Sequence, residues 1–129
     1  MRGWPYFSQL EPRERKTLLR RCILYQCILD PSYLTVRLGL PEKFVFFNGL
    51  YVGIPEDSEE GWKDEEGVIK AKLKKDLYRP LLNRVLREIV YPMRDIGITY
   101  QEYLILKSLI SFKSCSEFFF NFIQRHFYL

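Results

Sequence analysis

The stretch from Tyr6 to Leu29, YFSQLEPRERKTLLRRCILYQCIL, decides the fold. Its first half mixes charged and apolar residues at helical spacing, whereas from Cys22 to Leu29 only Gln26 carries a strongly polar side chain. A helix with apolar groups on every side belongs inside a protein, where other elements pack around it. The sequence therefore predicts a central helix that enters from the surface and runs into the core.

Signals for both ends of this helix are present. Pro12 suits a first helical position, because its missing N–H would have had no partner there, and Glu11 before it predicts a cap. Asp30-Pro31 predicts that the helix ends or kinks, since proline lacks the N–H that continues the hydrogen-bond ladder. Ser32 to Leu40 then remains as a short further turn.

The composition predicts one modest globular domain. The chain has 129 residues, of which 47% are hydrophobic and 16% aromatic, and this favours a packed core over disorder. Lys70 to Lys75 supplies much of the net charge of +4, so a solvated helical face is favoured over a surface for acidic partners. No uninterrupted run of about 18 apolar residues occurs, so no membrane span is predicted.

Residue types for metal binding and catalysis are scarce. Cys22, Cys27 and Cys115 form no C-x-x-C pair and His126 is the single histidine, so neither a zinc site nor a nucleophile–base pair is predicted. Neither G-x-G-x-x-G nor a P-loop is present to hold phosphate. An odd cysteine count without a secretory signal favours a reducing compartment. We therefore expect no enzyme, no metal site and no cofactor.

A β-hairpin is predicted between Phe44 and Val52, FVFFNGLYV. Two β-prone runs flank Asn48-Gly49, the strongest short hairpin signal, since both central residues of a type I′ turn need positive φ. Pro55 to Gly67, PEDSEEGWKDEEG, follows as an acidic loop. Its carboxylates lack the order of a calcium-binding loop, so we expect a mobile surface connection.

Helical spacing resumes after the acidic loop. Pro80 is predicted to interrupt or restart the helix and Pro92 to kink its final turn, because each removes a backbone donor. Gly97 is expected to end it in the left-handed conformation. Thr99-x-x-Glu102 then predicts a capping box at the start of the next helix.

Two segments resemble the ligand-binding domains of nuclear hormone receptors. The segment from Phe7 to Leu19 is similar to the family pattern F-x-x-L-x-x-x-D-Q-x-x-L-L, which joins family helices 3, 4 and 5. Glu14 and Arg15 stand at the aspartate and the glutamine, so the apolar anchors match and the polar pair differs. The segment from Arg84 to Phe112 resembles family helices 7 and 8. The proline-rich variations of the sequence resemble those of the nematode branch of the family.

The resemblance implies an all-α fold, a partial three-layer helical sandwich of the nuclear receptor type with one small β-hairpin. Residues 1–112 correspond to a partial ligand-binding domain, from the end of family helix 3 to helix 8. Residues 113–129 are a divergent aromatic tail, either a last packed helix or an exposed end. The zinc-finger DNA-binding domain and family helices 9–12 have no counterpart, so we expect a truncated isoform or an unusual gene product.

The resemblance also implies a pocket for a lipophilic small molecule, such as a fatty acid, a steroid or a retinoid-like compound. The residues at matching positions are Leu24, Cys27, Ile28, Phe46, Phe47, Tyr78, Leu81, Leu82 and Val85. The alternative is that these side chains simply fill a core. Leu34 stands where some relatives carry an arginine for a ligand carboxylate, so an acid held in that way is not expected.

A coregulator groove is the second site that the resemblance implies. Arg2 falls on the position of the family's rim lysine, while Lys16, Leu19 and Arg20 would line one side of the groove. The glutamate that completes the family's charge clamp comes from helix 12, which has no counterpart here. The alternative for these charged residues is a solvated face.

These expectations lead to two main hypotheses of function. The first is a nuclear hormone receptor ligand-binding domain fragment that acts in the nucleus and regulates transcription through a lipophilic ligand and a coregulator or partner receptor, without contacting nucleic acid or membrane itself. The alternative is a ligand-independent interaction module, or a decoy that sequesters a partner receptor or coregulator. A small helical enzyme or carrier is a third class, and the sequence favours it least.

Overall fold

A computed structural model describes the backbone of residues 7–127 and the side chains of residues 8–113, 116 and 124. Its helices are α1 (Pro12–Leu38), α2 (Ala71–Val85), α3 (Tyr91–Asp95) and α4 (Tyr100–Phe127), with a 3-10 turn at Phe7–Gln9 and a π-helical segment at Leu86–Val90. Strands β1 (Lys43–Val45) and β2 (Tyr51–Gly53) form one antiparallel pair. The predicted helical fold with one small hairpin is confirmed.

The chain divides into two compact units. The first unit comprises Met1–Cys27 and Gln101–Leu129, and the second comprises Ile28–Tyr100. The hairpin, α2 and α3 therefore belong to the second unit, together with the C-terminal part of α1. In the first unit, α4 passes Phe112 without a break, and the side chains of most of the predicted aromatic tail lie outside the described residues.

Helix α1 begins where the sequence predicts. The backbone N–H of Arg15 donates to the carbonyl of Glu11 at 2.9 Å, which is the first bond of the helical ladder. The Glu14 carboxylate accepts from the backbone N–H of Glu11 at 3.0 Å, as in a capping box. Pro12 occupies the first helical position, where no N–H is needed.

The predicted end of α1 at Asp30-Pro31 is wrong, because the helix continues to Leu38. Proline in a helix interior costs about 3 kcal/mol, since it removes one ladder bond and crowds the preceding turn. Burial of Leu29 and Asp30 and of the residues after the proline offsets this cost. The Ser32 hydroxyl also donates to the carbonyl of Ile28 at 2.6 Å, within the turn that contains the proline.

The predicted enclosure of Cys22 to Leu29 is only partly correct. Leu18, Cys22 and Leu29 form one buried stripe, but Leu24 is 66% exposed, and Ile23, Tyr25 and Cys27 are exposed as well. In the first unit the described elements are the 3-10 turn, residues 12–27 of α1, and α4, and these are too few to enclose a helix on every side. The side chain amide of Gln26 lies 3.5 Å from the Ser111 hydroxyl of α4.

The hairpin is confirmed, but its turn differs from the prediction. Phe44 pairs with Val52 across the strands, and Phe46 N–H donates to the Leu50 carbonyl at 2.8 Å. Gly49 N–H donates to the Phe46 carbonyl, so the tip is a three-residue loop. Gly49 has φ +82°, whereas Asn48 does not adopt positive φ, which excludes the type I′ turn. Such loops place a single left-handed residue after a type I turn.

The acidic loop contributes to the core, so its interpretation as a surface connection is wrong at its centre. Trp62 is 1% exposed and packs in a cluster with hairpin and helix residues. The members of this cluster are Phe44, Val52, Trp62, Leu82, Val85, Leu86 and Val90. Ile28, Val36 and Ile54 pack against it. The second unit is therefore organised around the hairpin, the loop and the helices that follow.

Pro80 does not interrupt or restart a helix as predicted, because it lies inside the continuous helix α2. The π-helical segment precedes Pro92, which occupies the first turn of α3. Gly97 ends α3 as predicted: it has φ +61° and donates to the Arg94 carbonyl at 3.0 Å, while Ile98 N–H donates to the Met93 carbonyl at 3.1 Å. These two bonds form a Schellman motif. Helix α4 then begins directly after Thr99, the predicted N-cap residue.

Candidate functional site

The hairpin supplies one wall of the predicted pocket. Phe46 packs edge-on against the buried Phe44, with ring centroids 5.3 Å apart and an interplanar angle of 76°. Phe47, at the tip, is 69% exposed. Edge-to-face pairing holds the Phe46 ring against Phe44 of the core cluster, whereas the Phe47 ring remains exposed.

Helix α2 supplies a second group of predicted lining residues. Leu82 and Val85 lie in the core cluster, so in this structure they contribute to a filled core. Tyr78 and Leu81 are both more than half exposed. Because positions 78, 81, 82 and 85 recur at helical spacing, α2 presents a row of lining positions whose inner members are packed and whose outer members are accessible.

The remaining predicted lining residues come from α1. Ile28 packs against the core cluster of the second unit. Leu24 and Cys27 are exposed and belong to the first unit. The structure therefore brings Ile28, Leu82 and Val85 together at the cluster, with Phe46 joined to it through Phe44.

Sequence reasoning missed two residues that shape this region. The Trp62 indole N–H donates to the Gly53 carbonyl at 3.2 Å. Arg79, on α2, places its guanidinium 5.3 Å from the Trp62 ring centroid and donates to the carbonyls of Gly53, Ile54 and Pro55. The signal for Trp62 was a single large apolar residue within an acidic loop, whereas nothing in the sequence distinguished Arg79 from the other basic residues of α2.

The described residues of the predicted coregulator groove share one side of α1. Lys16, Leu19 and Arg20 follow a spacing of three and four residues, and all three are exposed. Arg2, the predicted rim cation, lies outside the described residues. This part of α1 thus carries a small apolar surface with two cations beside it.

The hydrogen bonds of Arg15 show how the chain accommodates this residue in place of the family's glutamine. Its Nε donates to the Leu10 carbonyl at 2.8 Å and its Nη2 donates to the Ser8 carbonyl at 2.6 Å. The guanidinium thereby ties the preceding turn to the start of α1 through charge-assisted bonds. Arg15 therefore connects consecutive segments here, at the position where the family pattern has glutamine.

Ion pairs surround the hairpin and the helices without entering the core. Lys43 Nζ lies 3.5 Å from Glu60 Oε2, and Lys74 Nζ lies 3.2 Å from Glu65 Oε2. A hydrogen bond from Lys63 lowers the pKa of the Glu59 carboxyl and raises the pKa of Lys63. The first two pairs join the acidic loop to β1 and to α2, whereas Glu59 and Lys63 pair within the loop, and exposed pairs contribute little individually.

The described residues offer no other obvious chemistry. In the part of the chain that the structure describes, no three His, Cys, Asp or Glu side chains are grouped so that they could hold a metal ion. Within the same residues, every helix is too short or too polar to cross a membrane.

Comparison with known proteins identifies similar sequences over nearly the whole chain. Residues 1–125 match the family described as the ligand-binding domain of nuclear hormone receptor. The chain is 32% identical over 117 residues to Nuclear hormone receptor family member nhr-80 of Caenorhabditis elegans, covering 91% of this chain and 23% of that protein. It is 31% identical over 113 residues to member nhr-20 of the same organism, covering 84% of this chain and 24% of that protein. No solved structure gives a significant match.

The extent of these matches bears on the domain division. The chain spans about a quarter of the length of these two relatives. The family match extends past Phe112 into the predicted tail. Since a sequence match does not place a domain boundary, the division into residues 1–112 and 113–129 stays a prediction.

Proposed function

The chain belongs to the nuclear hormone receptor ligand-binding domain family, and on that premise we propose that it is the ligand-regulated part of a receptor that controls transcription in the nucleus. It binds a lipophilic small molecule, such as a fatty acid, a steroid or a retinoid-like compound, and a coregulator or partner receptor. The proposal assigns it no catalytic role and no contact with nucleic acid. Family membership supports the receptor role, whereas the binding of a ligand and of a partner is our proposal.

One observation carries the ligand proposal. Phe47, Tyr78 and Leu81 are more than half exposed, and they lie on the hairpin and on α2, the two elements that also contribute to the packed apolar cluster and that the family resemblance assigns to a pocket. Apolar side chains that remain in water beside a core gain free energy when a lipophilic molecule covers them, at roughly 25 cal/mol per Å². None of the three carries a formal charge, which favours an apolar ligand over an ionic one.

Native mass spectrometry of the full chain purified from cells tests the proposal. Retained lipid supports a ligand site. A titration with a fluorescent fatty acid then identifies the residues involved. Leu81→Ser should weaken binding roughly tenfold, because a lost leucine contact is worth about 1.5–3 kcal/mol at most. Leu73→Ser is the matched control, since Leu73 is on the same helix and equally exposed, 52% against 53%. Equal loss in both variants, or no binding by the unaltered chain, contradicts the proposal.

A protein-interaction module is the second candidate, and the first unit supports it. Leu19, Ile23 and Leu24 expose apolar surface on α1 next to Lys16 and Arg20. Such a surface suits an amphipathic helix from a partner protein. A clean unliganded mass together with a co-purified partner receptor or coregulator favours this decoy function over the ligand-regulated one.

A further inference from the structure

The end of strand β2 is held by the acidic loop. Gly53 N–H donates to the Glu60 carbonyl at 2.9 Å, while its own carbonyl accepts from the Trp62 indole at 3.2 Å. The loop packs so closely that a Cβ at Gly53 would lie 1.9 Å from the Ser58 hydroxyl oxygen. The acidic loop therefore lies directly against the hairpin, with Trp62 as its anchor.

Arg79 connects this assembly to helix α2. Its Nη1 donates to the carbonyls of Gly53, at 3.3 Å, and Ile54, and its Nη2 donates to the carbonyl of Pro55. One planar guanidinium thus serves three consecutive carbonyls, and it also faces the Trp62 ring. A lysine cannot reproduce this arrangement, since its single ammonium group lacks the fixed fork of donors.

Arg79 joins the two elements that carry predicted lining positions. Tyr78, Leu81 and Leu82 lie within one turn of Arg79 on α2, and Phe46 and Phe47 lie on the hairpin whose strand Arg79 holds. A change at Arg79 therefore alters the spacing of both groups without removing any of their side chains.

We infer that Arg79 is a positioning residue that fixes the hairpin relative to α2 and thereby sets the size of ligand that the chain accepts. The role in setting ligand size rests on the proposed ligand function, whereas the role in fixing the hairpin relative to α2 does not. Arg79 itself need not contact the ligand.

Two measurements on the full chain test the inference, with Arg79→Lys as the variant and Arg84→Lys as the control. Arg84 is an exposed arginine on the same helix that bonds Glu88. Hydrogen exchange should accelerate about tenfold or more at the amides of Phe46 and Gly53 in Arg79→Lys, because charge-assisted bonds to the strand are lost. Exchange within α4 should stay unchanged, and so should every amide in Arg84→Lys.

The second measurement compares the affinities of a short-chain and a long-chain fluorescent fatty acid. A positioning role shifts the ratio of the two dissociation constants by about threefold or more, whereas a merely structural role weakens both equally. Unchanged exchange at Phe46 and Gly53 overturns the inference, and so does faster exchange with an unchanged ratio. If the unaltered chain binds neither probe, the proposed function fails and the ligand half of the inference fails with it. The exchange result then decides the hairpin half separately.

Discussion

The indole N–H of Trp62 donates to the carbonyl of Gly53 at 3.2 Å, and this bond joins the acidic loop to the last residue of β2. Trp62 is among the most deeply buried side chains that the structure describes, although the loop that contains it is rich in acidic residues. A surface loop between a hairpin and a helix ordinarily tolerates substitutions and changes in length. Here the tryptophan makes it part of the core, so changes in this loop should affect stability.

Replacement of Trp62 tests that role directly. Trp62→Ala should lower the free energy of unfolding by about 3–5 kcal/mol, because it leaves a large cavity within the cluster. Trp62→Phe retains most of the apolar volume and loses the bond to Gly53, so its effect should be smaller. Urea denaturation followed by far-ultraviolet circular dichroism measures both. A change below about 1 kcal/mol in Trp62→Ala would show that the loop is not part of the core.

Gly61 should tolerate no side chain, because the loop approaches β2 too closely there. Its φ is +72°, and a Cβ at this position would lie 1.8 Å from the Tyr51 carbonyl oxygen. Gly97 is the matched control, with φ +61° and open space within 4 Å of the point that a Cβ would occupy. Gly97→Ala should cost about 1–2 kcal/mol for the left-handed conformation alone. Thermal denaturation should place Gly61→Ala well below Gly97→Ala, and equal melting temperatures would contradict the close approach.

Thr35 should stabilise the chain through its hydroxyl. Thr35 is buried on α1, and its Oγ1 accepts from the backbone N–H of Val45 at 3.0 Å. Thr35→Val keeps the shape but leaves that buried N–H without its acceptor, which costs about 1–3 kcal/mol. Thr35→Ser keeps the hydroxyl and should lose less. Chemical denaturation compares them, and a valine variant at least as stable as the serine variant would rule out the hydrogen bond as the cause.

Glu88 should titrate below the ordinary range of a glutamate. The hydrogen bond from Arg84 lowers the pKa of its carboxyl, with a further contribution from Arg87. A carboxyl whose pKa is lower in the folded state stabilises the fold above its unfolded-state pKa, and that stabilisation is lost as the pH falls through the folded-state value. Because Glu88 is exposed, the effect on stability should be small.

Nuclear magnetic resonance titration of the Glu88 side chain measures this pKa. Arg84→Gln should raise the pKa toward its ordinary value, although Arg87 keeps part of the shift. Arg94→Gln, which removes an arginine paired with Asp95 elsewhere, should leave the pKa of Glu88 where it was. A pKa that is unaffected by Arg84→Gln would show that the pair does not form in solution.

The features that sequence reasoning predicted correctly depend on local chemistry. Pro12 at a helix start, Gly97 at a helix end and the hairpin around Gly49 all follow from backbone preferences of a few neighbouring residues. The errors concern residues whose state depends on distant contacts. Pro31 remains helical because its surroundings are buried, and Trp62 enters the core through bonds to residues of β2 and α2. Local propensity cannot foresee such contacts.

The same distinction between local preferences and distant contacts applies to the candidate site. The family resemblance selected the hairpin and α2 as walls, and the structure places Leu82 and Val85 of α2 in the core beside the hairpin. Arg79 was missed because its role depends on three carbonyls of another element. The alternation of inner and outer positions along α2 could not be assigned either, since helical spacing groups residues without saying which neighbour covers them.

The two described cysteines of α1 report on how far the central segment is enclosed. Cys22 is buried and Cys27 is exposed, five residues further along the same helix. In a Cys115→Ser background, the exposed thiol of Cys27 should therefore react with a thiol reagent at nearly the rate of an unfolded control. The buried thiol of Cys22 should react on the order of a hundredfold more slowly, because it must await a local opening that costs about 3 kcal/mol.

The additional substitution Cys27→Ser assigns the fast phase. It should abolish that phase and leave the slow one, as followed by mass spectrometry. Cys27 is the matched position for Cys22, since both lie on one helix and one is exposed where the other is buried. Slow reaction of both thiols would mean that Cys22 to Leu29 is enclosed on every side, as its all-round apolar sequence predicts. Fast reaction of Cys27 alone would mean that one side of this segment is accessible, as the interaction module built on Leu19, Ile23 and Leu24 requires.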